Sequence, residues 1–245
     1  MPPSHRSLIA RITYALAAIG AGAAVAAAFI QDAIGIKELS TAVLALLGTF
    51  LGATFAFRLN QDKEERKLQA ARKEALNRAL FVLARQANAV DQLKRDYDQF
   101  GQVIPRAFNL PALKPPSYSD LIHNFVDLEF LLESGEADIL LRLTVEQERF
   151  HQVIESVRTR NEFYVNEFQP KLAEVGLNGR ITSAEEAKAL LGERIFGGVI
   201  NGTNIAYEHI SATVQSIPEM QQQLLALAKR NYPKQKFITY ERRAA

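Results

Sequence analysis

The first pattern in this chain that could carry chemistry is Glu148-Arg149-Phe150-His151, in which a carboxylate and an imidazole stand three residues apart. On a helix this spacing places both groups on one face, as in the Glu-x-x-His pairs that bind iron in four-helix proteins. Such a centre takes two of these pairs and two further glutamates, and the chain has no second pair. Glu129, Glu133 and Glu155 are available, but any acidic helix offers such residues. The sequence therefore predicts no metal site and favours a partly buried His151 with an acidic neighbour.

Motifs for the common nucleotide and hydrolase chemistries are absent from the sequence. No GxxxxGK[ST], GxSxG, HExxH or GxGxxG occurs, and zero cysteines exclude disulfides, thiol catalysis and iron–sulfur clusters. A glycine cluster at 197–202 follows no predicted strand and contains no basic residue, although Arg194 stands nearby. This disfavours a phosphate-binding loop. We therefore predict no catalytic residue, no bound cofactor and no enzymatic activity.

A second group whose residue types could take part in catalysis is Arg158-Thr159-Arg160-Asn161. It is similar to the Arg-Asn pair of HEPN-type RNA-cleaving helical proteins, in which a histidine follows a few residues later. Here residues 162–166 are Glu, Phe, Tyr, Val and Asn, so that histidine is missing. The resemblance implies only a non-catalytic relative of that fold. The alternative is an ordinary solvated helix face with a run of charge.

Two uncharged apolar stretches precede the elements that must position these residues. Residues 12–31 and 39–57 contain no Asp, Glu, Lys or Arg. Each is long enough to cross a hydrocarbon core about 30 Å thick, and neither holds the ionisable groups that a transporter or proton relay uses. The short link Asp32 to Glu38 joins them. Residues 1–57 are therefore predicted to form a transmembrane hairpin of two helices.

Basic residues beside the two spans predict the orientation. Arg6 and Arg11 precede the first span, six Lys or Arg follow the second between Arg58 and Lys73, and the link holds Lys37 alone. Both termini are therefore expected in the cytoplasm, with the protein in a bacterial inner membrane. Alternatively the first stretch is a cleaved signal peptide ending near residues 24–26, and the large C-terminal part stays cytoplasmic in that case too.

Small residues four apart define one face of each predicted span: Ala18, Gly22 and Ala26 in the first, and Gly48, Gly52 and Ala56 in the second. Such a face lets two helix backbones approach closely in lipid. Two interpretations stay open. The two helices of one hairpin pack on each other, or several chains associate into a homo-oligomer through these faces.

Residues 58–104 are predicted to form a helical stalk, because no Gly or Pro interrupts the chain from Ala53 to Phe100. Apolar residues recur there in steps of three and four, and they form a near-heptad seam: Leu76, Leu80, Leu83, Ala87, Val90, Leu93 and Tyr97. One interpretation is a coiled coil between chains. The other is that this stretch is the first helix of a cytoplasmic bundle and packs within its own chain.

The sequence after the stalk predicts a cytoplasmic helical bundle at 117–232 and a basic tail at 233–245. Helices are expected from Leu121 to Leu132 with Ser119 or Asp120 as cap, from Glu136 to Phe168, from Ala184 to Leu191, and from about Asn204 to Asn231. Ser183 and Glu186 form a capping box for the third of these. No long alternating strand pattern appears, so the predicted fold class is all-α. The tail is either solvated or in contact with anionic lipid headgroups.

Nucleic acid is not an expected partner. Residues 1–57 hold three of the 29 Lys and Arg and two of the 27 Asp and Glu, so the rest of the chain is nearly neutral.

Four stretches resemble a group of uncharacterised bacterial inner-membrane proteins: Phe130 to Ser134, Arg149 to His151, Arg160 to Glu162, and Tyr232 to Ile238. The resemblance implies two N-terminal spans followed by a helical cytoplasmic domain. It implies no activity.

Together these observations predict a membrane-anchored interaction, scaffold or sensor module. Its binding surfaces are expected on the helices between Leu121 and Phe168, and its partner is expected to be a cytoplasmic protein. The alternative is an oligomeric membrane effector of the defence or toxin kind, in which the small-residue spans build a pore that the cytoplasmic domain gates.

Overall fold

The computed structural model describes Gly22 and residues 36–113, 118–177 and 183–239. In these ranges the chain is helical and contains no β-strand, as the sequence predicts. The chain divides into two compact units, with the boundary between Leu68 and Gln69. The first predicted span, 12–31, lies outside the described residues except for Gly22, which is helical.

The first described helix, α1, runs from Ile36 to Asp98. In the first unit α1 carries large apolar side chains whose exposed fractions range from 49% to 70%: Leu44, Leu46, Leu47, Leu51, Phe55, Phe57 and Leu59. Within the described ranges α1 alone is long and apolar enough to cross a membrane, and its apolar window has no buried residue. A helix with apolar residues exposed all round is unfavourable in water, and it is stabilised by lipid or by an apolar partner.

In the second unit the apolar residues of α1 are buried instead. Leu76, Leu80, Leu83 and Val90 are inaccessible to solvent, and Ala87 is 5% exposed. They belong to one core with residues of later helices, among them Leu143, Phe150, Ile210 and Leu224. The near-heptad seam is therefore covered by helices of the same chain.

The described residues after α1 form six further α-helices: α2 (Val103–Asn109), α3 (Phe130–Glu133), α4 (Ala137–Phe163), α5 (Gln169–Glu174), α6 (Ala184–Leu191) and α7 (Glu193–Asn231). A 3₁₀ turn spans Val126–Leu128, and a π-helical segment, Tyr164–Phe168, joins α4 to α5. The bounds of α6 agree with the prediction, and Ser183 Oγ accepts a hydrogen bond from the Glu186 amide at 3.1 Å. By contrast, α7 begins eleven residues before the predicted Asn204, because its glycines lie within the helix.

The contacts between long helices fix their directions. Arg142 and Arg160 of α4 donate to Gln223 and Thr203 of α7, so the two helices are antiparallel. Lys94 of α1 donates to Tyr207 of α7 at 2.8 Å, and Tyr232, just after α7, donates to Gln69 of α1 at 3.0 Å. The second-unit part of α1 is therefore also antiparallel to α7.

The predicted helix from Leu121 to Leu132 is wrong. Residues 121–125 are not helical, and only the 3₁₀ turn and α3 follow. Two buried amides hold this segment: Gln86 of α1 and Gln147 of α4 both donate to the Leu121 carbonyl, and Gln147 accepts from the His123 amide at 3.1 Å. Because these backbone groups bind side chains of neighbouring helices, they are not available for helical hydrogen bonds.

The first residues of the predicted basic tail fold back onto α1. The Ile238 amide donates to Asn77 Oδ1 at 3.1 Å, and Tyr232, Phe237 and Ile238 pack against the core. From Gln69 to Asn77 the tail follows the direction of α1. Its apolar residues thus belong to the packed unit, while Lys234 and Lys236 remain exposed.

We predict that His123 makes the stability of the protein depend on pH. Burial lowers the pKa of His123 to about 4 from the ordinary 6.5, so below pH 6.5 the unfolded chain binds a proton that the folded chain takes up only near pH 4. The free energy of unfolding should therefore fall by about 3 kcal/mol between pH 7 and pH 4. Chemical denaturation of wild type and His123→Phe across this range measures the difference. The exposed His151→Phe serves as control, and equal pH dependence of wild type and His123→Phe would contradict the prediction.

Candidate functional site

Arg160 is a buried cation at the centre of the second unit, with 2% of its surface exposed. Its guanidinium donates to the carbonyls of Leu110 and Pro111 and to the hydroxyl of Thr203. It also lies over the ring of Tyr164, 4.3 Å from the centroid. One side chain of α4 thus joins the segment after α2, the π-helical segment and α7.

No carboxylate pairs with Arg160 among the described residues. Burial lowers the pKa of its guanidinium, while Tyr97 and Tyr164 act in the opposite direction. An arginine stays charged in proteins, so neutral oxygens and an aromatic face must replace the water that it loses. Removal of this side chain would leave buried carbonyls without donors, which is costly.

Asn161 holds the same segment from the next position. Its Oδ1 accepts from the Leu113 amide at 3.3 Å, and its Nδ2 donates to the Leu113 carbonyl. Arg160 and Asn161, which resemble the Arg-Asn pair of HEPN-type proteins, therefore form hydrogen bonds with backbone groups inside the fold. The solvated-face interpretation fits Arg158, which is exposed and pairs with Glu155 at 3.2 Å, but it is wrong for Arg160.

A groove of about 380 Å³ lies between α4 and α7, beside Arg160. Its floor is formed where α7 comes close to α4 at two glycines. A Cβ atom on Gly198 would lie 2.5 Å from Phe163 Cζ, and one on Gly202 would lie 4.0 Å from Arg160 Cβ. Ile205, which is 50% exposed, stands further along the same groove. The two glycines therefore let α7 pack closely against Phe163 and Arg160 of α4 at the floor of the groove.

The π-helical segment begins directly after Phe163 and shapes this end of the groove. It turns Tyr164 inward, where the hydroxyl donates to the Phe108 carbonyl at 3.3 Å and the ring covers Arg160. Pro170, near the start of α5, has no amide hydrogen to continue the α-helical pattern. Single π-helical turns inside helices are frequent at functional sites.

Several polar side chains besides Arg160 line the groove, and their described polar contacts are made within their own helix. Ser156 Oγ donates to the Val153 carbonyl at 2.8 Å, and Glu155 pairs with Arg158. His209 Nδ1 is buried without a hydrogen-bond partner. The groove therefore combines the apolar side chains of Phe163, Val199 and Ile205 with polar side chains such as Gln152 and Glu155.

The other residues singled out from the sequence lie elsewhere. His151 is exposed, and its Nε2 lies 3.0 Å from Gln147 Nε2. In the described ranges no three His, Asp or Glu side chains are placed to hold a metal ion. Gly48, Gly52 and Ala56 are exposed, and nothing lies within 4 Å of a Cβ built on either glycine. Ala18 and Ala26 lie outside the described residues.

The groove is not among the predicted sites, although the sequence contains a signal for it. Gly198 and Gly202 stand four apart, the same spacing as Gly48 and Gly52, which was used to predict helix packing in the second span. A helix that starts only at Asn204 leaves Gly198 and Gly202 outside it, so the prediction contains no close packing of these glycines on α4. In the structure both glycines lie within α7.

Comparisons with protein-family models, with curated proteins and with solved structures gave no match to this chain.

We predict opposite effects for two neighbouring glycine substitutions in α7. Gly198→Ala should lower the free energy of unfolding by about 1–3 kcal/mol, because its Cβ would overlap the ring of Phe163. Gly197→Ala, which meets no atom within 4 Å, should raise it by about 0.5–1 kcal/mol through helix propensity. Chemical denaturation followed by circular dichroism measures both. Equal effects of the two substitutions would show that α4 and α7 are not in close contact at Gly198.

Proposed function

We propose that this protein is a membrane-anchored binding module, whose helical unit recognises a partner protein through the groove between α4 and α7. The groove is the observation that carries the proposal. The lining residues on α4 extend from Gln152 to Phe163, which corresponds to about 16 Å, or three helical turns. That length suits a short helix of a partner.

The residues of the groove match the way in which helices dock into grooves. Gly198 and Gly202 let α7 pack closely on α4 at the floor of the groove, and Phe163 and Ile205 supply apolar contact surface. Polar and charged residues such as Gln152 and Glu155 form the edge. An apolar centre with a polar rim is the usual arrangement of a protein–protein interface.

The anchor in this proposal is a hairpin of spans at 12–31 and 39–57, with both termini in the cytoplasm of a bacterial cell. The exposed apolar first part of α1 supports a span from residue 39 onward. The excess of Lys and Arg after Phe57, relative to the single Lys37 in the link, supports the orientation. The resemblance to two-span inner-membrane proteins supports the same arrangement.

Site-specific photo-crosslinking tests the groove. A photoreactive amino acid at Ile205 of the full-length protein, in its native membrane, should give a discrete protein adduct. The same group at Gln222, exposed on α7 about 25 Å further along, should not. Gly198→Ala should reduce the adduct at position 205, because its Cβ would displace the ring of Phe163 that lines the groove. Equal yields from both positions, or lipid adducts alone, would refute the proposed site.

A second candidate function is an oligomeric membrane effector with a pore gated by the helical unit. It is favoured by the exposed Gly48, Gly52 and Ala56, a stripe that lets helices of several chains pack in lipid. In a hairpin the same stripe packs on the first span of its own chain. The two alternatives differ in the mass of the protein particle.

We expect Gly48→Leu to distinguish these alternatives. If chains associate through this stripe, the full-length protein in nanodiscs is an oligomer, and the substitution reduces it to a monomer by blocking close approach. Mass photometry of wild type, Gly48→Leu and the control Leu47→Ala measures this. A monomeric wild type would exclude the pore and leave the anchored binding module.

A further inference from the structure

The face of α4 that borders the groove carries exposed apolar residues beyond the groove itself. Val145 stands seven residues before Gln152, which lines the groove, and Leu141 stands four residues before Val145. These intervals keep all three residues on one side of a helix. Leu141 is 64% exposed and Val145 is 37% exposed. The groove side of α4 therefore offers apolar surface over more than the three turns that line the groove.

Other contacts between the long helices are bridged by segments of the same chain. Between α1 and α4, the Leu121 carbonyl accepts hydrogen bonds from Gln86 and Gln147. Beyond the end of α7 the tail returns along α1, where the Ile238 amide donates to Asn77. The groove between α4 and α7 is lined by residues of these two helices alone. Among the described residues, therefore, no segment of the chain takes the place of a further helix there.

Three glutamates mark one edge of the groove. Glu148, Glu155 and Glu162 follow one another at intervals of seven residues, so they lie on one line along α4, and Glu155 lines the groove. All three are exposed. The line covers about 21 Å of helix, slightly more than the roughly 16 Å of α4 that line the groove. A negatively charged edge thus runs along the whole groove on the side of α4.

Helix α7 adds a negative charge to the opposite edge. Glu208 is exposed, directly precedes His209 in the sequence, and follows Ile205 by three residues. Since His209 and Ile205 both line the groove, Glu208 lies at the border of the groove on α7. Carboxylates therefore flank the apolar side chains of the groove on both helices.

The positive charges beside the groove are neutralised within the protein. The exposed arginines of α4 and α7 nearest the groove each pair with a glutamate: Arg149 with Glu146 at 3.4 Å, Arg158 with Glu155 at 3.2 Å, and Arg194 with Glu167. By contrast, Glu148, Glu162 and Glu208 have no ion-pair partner among the described residues. Arg160 lines the groove, but its guanidinium binds backbone carbonyls inside the fold. The unpaired charge at the edges of the groove is therefore negative.

From these observations we infer that the groove takes a basic amphipathic helix of the partner protein, with Lys or Arg on both sides of an apolar stripe. The stripe would pack on Phe163 and Ile205. The basic side chains would pair with the unpaired glutamates, Glu148, Glu162 and Glu208. An acidic helix would be repelled by the same carboxylates, so the charge at the edges selects the partner. This inference rests on the proposed function, because it names the chemistry of the partner that binds the same groove.

Three synthetic peptides of about 18 residues, long enough to cover the groove as a helix, test the inference. They share one leucine stripe, are stapled to equal helicity, and carry Lys, Gln or Glu on both flanks of the stripe. Fluorescence anisotropy measures their binding to the full-length protein in phosphatidylcholine nanodiscs, with empty nanodiscs as control. At low salt we expect the Lys peptide to bind about tenfold tighter than the Gln peptide, and the Glu peptide to bind least. At about 0.5 M salt this preference should shrink to about threefold or less, because exposed charges are screened.

Charge reversal then assigns the preference to the groove. Glu148→Lys combined with Glu162→Lys should reverse it, so that the Glu peptide binds more tightly than the Lys peptide. The control, Glu65→Lys combined with Glu129→Lys, changes exposed glutamates outside the groove by the same charge and should leave the preference unchanged. Equal affinity for the Lys and Gln peptides would overturn the inference, as would the absence of binding by any peptide. A preference for Lys that persists in the reversed variant would also overturn it, because the basic peptide would then bind elsewhere.

The failure of this inference and the failure of the proposed function give different results. A protein adduct at Ile205 together with no charge preference would refute the basic helix alone, and the groove would still bind a partner. Absence of that adduct in the native membrane would refute the partner groove itself, and the basic helix with it.

Discussion

The packing of α4 and α7 in the second unit depends on how the buried cation of Arg160 is solvated. Arg160 is removed from water without a carboxylate partner among the described residues, so its solvation comes from the carbonyls of Leu110 and Pro111, the hydroxyl of Thr203 and the ring of Tyr164. These groups belong to separate elements of the chain, and each must be in place for the charge to be tolerated. The position of α4 relative to α7, and with it the groove, follows from this requirement together with the small size of Gly198 and Gly202.

Helix α1 has different surroundings in the two units. In the first unit leucines and phenylalanines such as Leu51 and Phe55 are exposed, whereas in the second Leu76, Leu80 and Leu83 are completely buried. The difference lies in the partners. From Gln69 onward, later helices of the same chain cover the apolar seam, whereas the apolar residues before it remain available for lipid or for another helix. A single continuous helix thus carries an exposed apolar segment and a segment that belongs to a packed core.

Local sequence signals were reliable where the structure uses local interactions. The capping box at Ser183 predicted α6 correctly, because the cap bonds to an amide only three residues away. The predicted helix at 121–132 was wrong because Gln86 and Gln147, distant in sequence, bind the backbone of that segment. The start of α7 was missed because glycine lowers helix propensity, while close packing of Gly198 on Phe163 favours a residue without a side chain.

The amino-acid sequence by itself determined the helical class, an apolar segment in α1 long enough to cross a membrane, and the spacing of the seam from Leu76 to Tyr97. Each of these depends on residue types within a few turns of one helix, and such patterns can be read directly. Only the tertiary structure decided that helices of the same chain cover the seam, that Arg160 is buried, and that a groove lies between α4 and α7. The reason is that burial depends on which distant elements meet. Arg160 reaches the Pro111 carbonyl across 49 positions of sequence, and no local pattern encodes that contact.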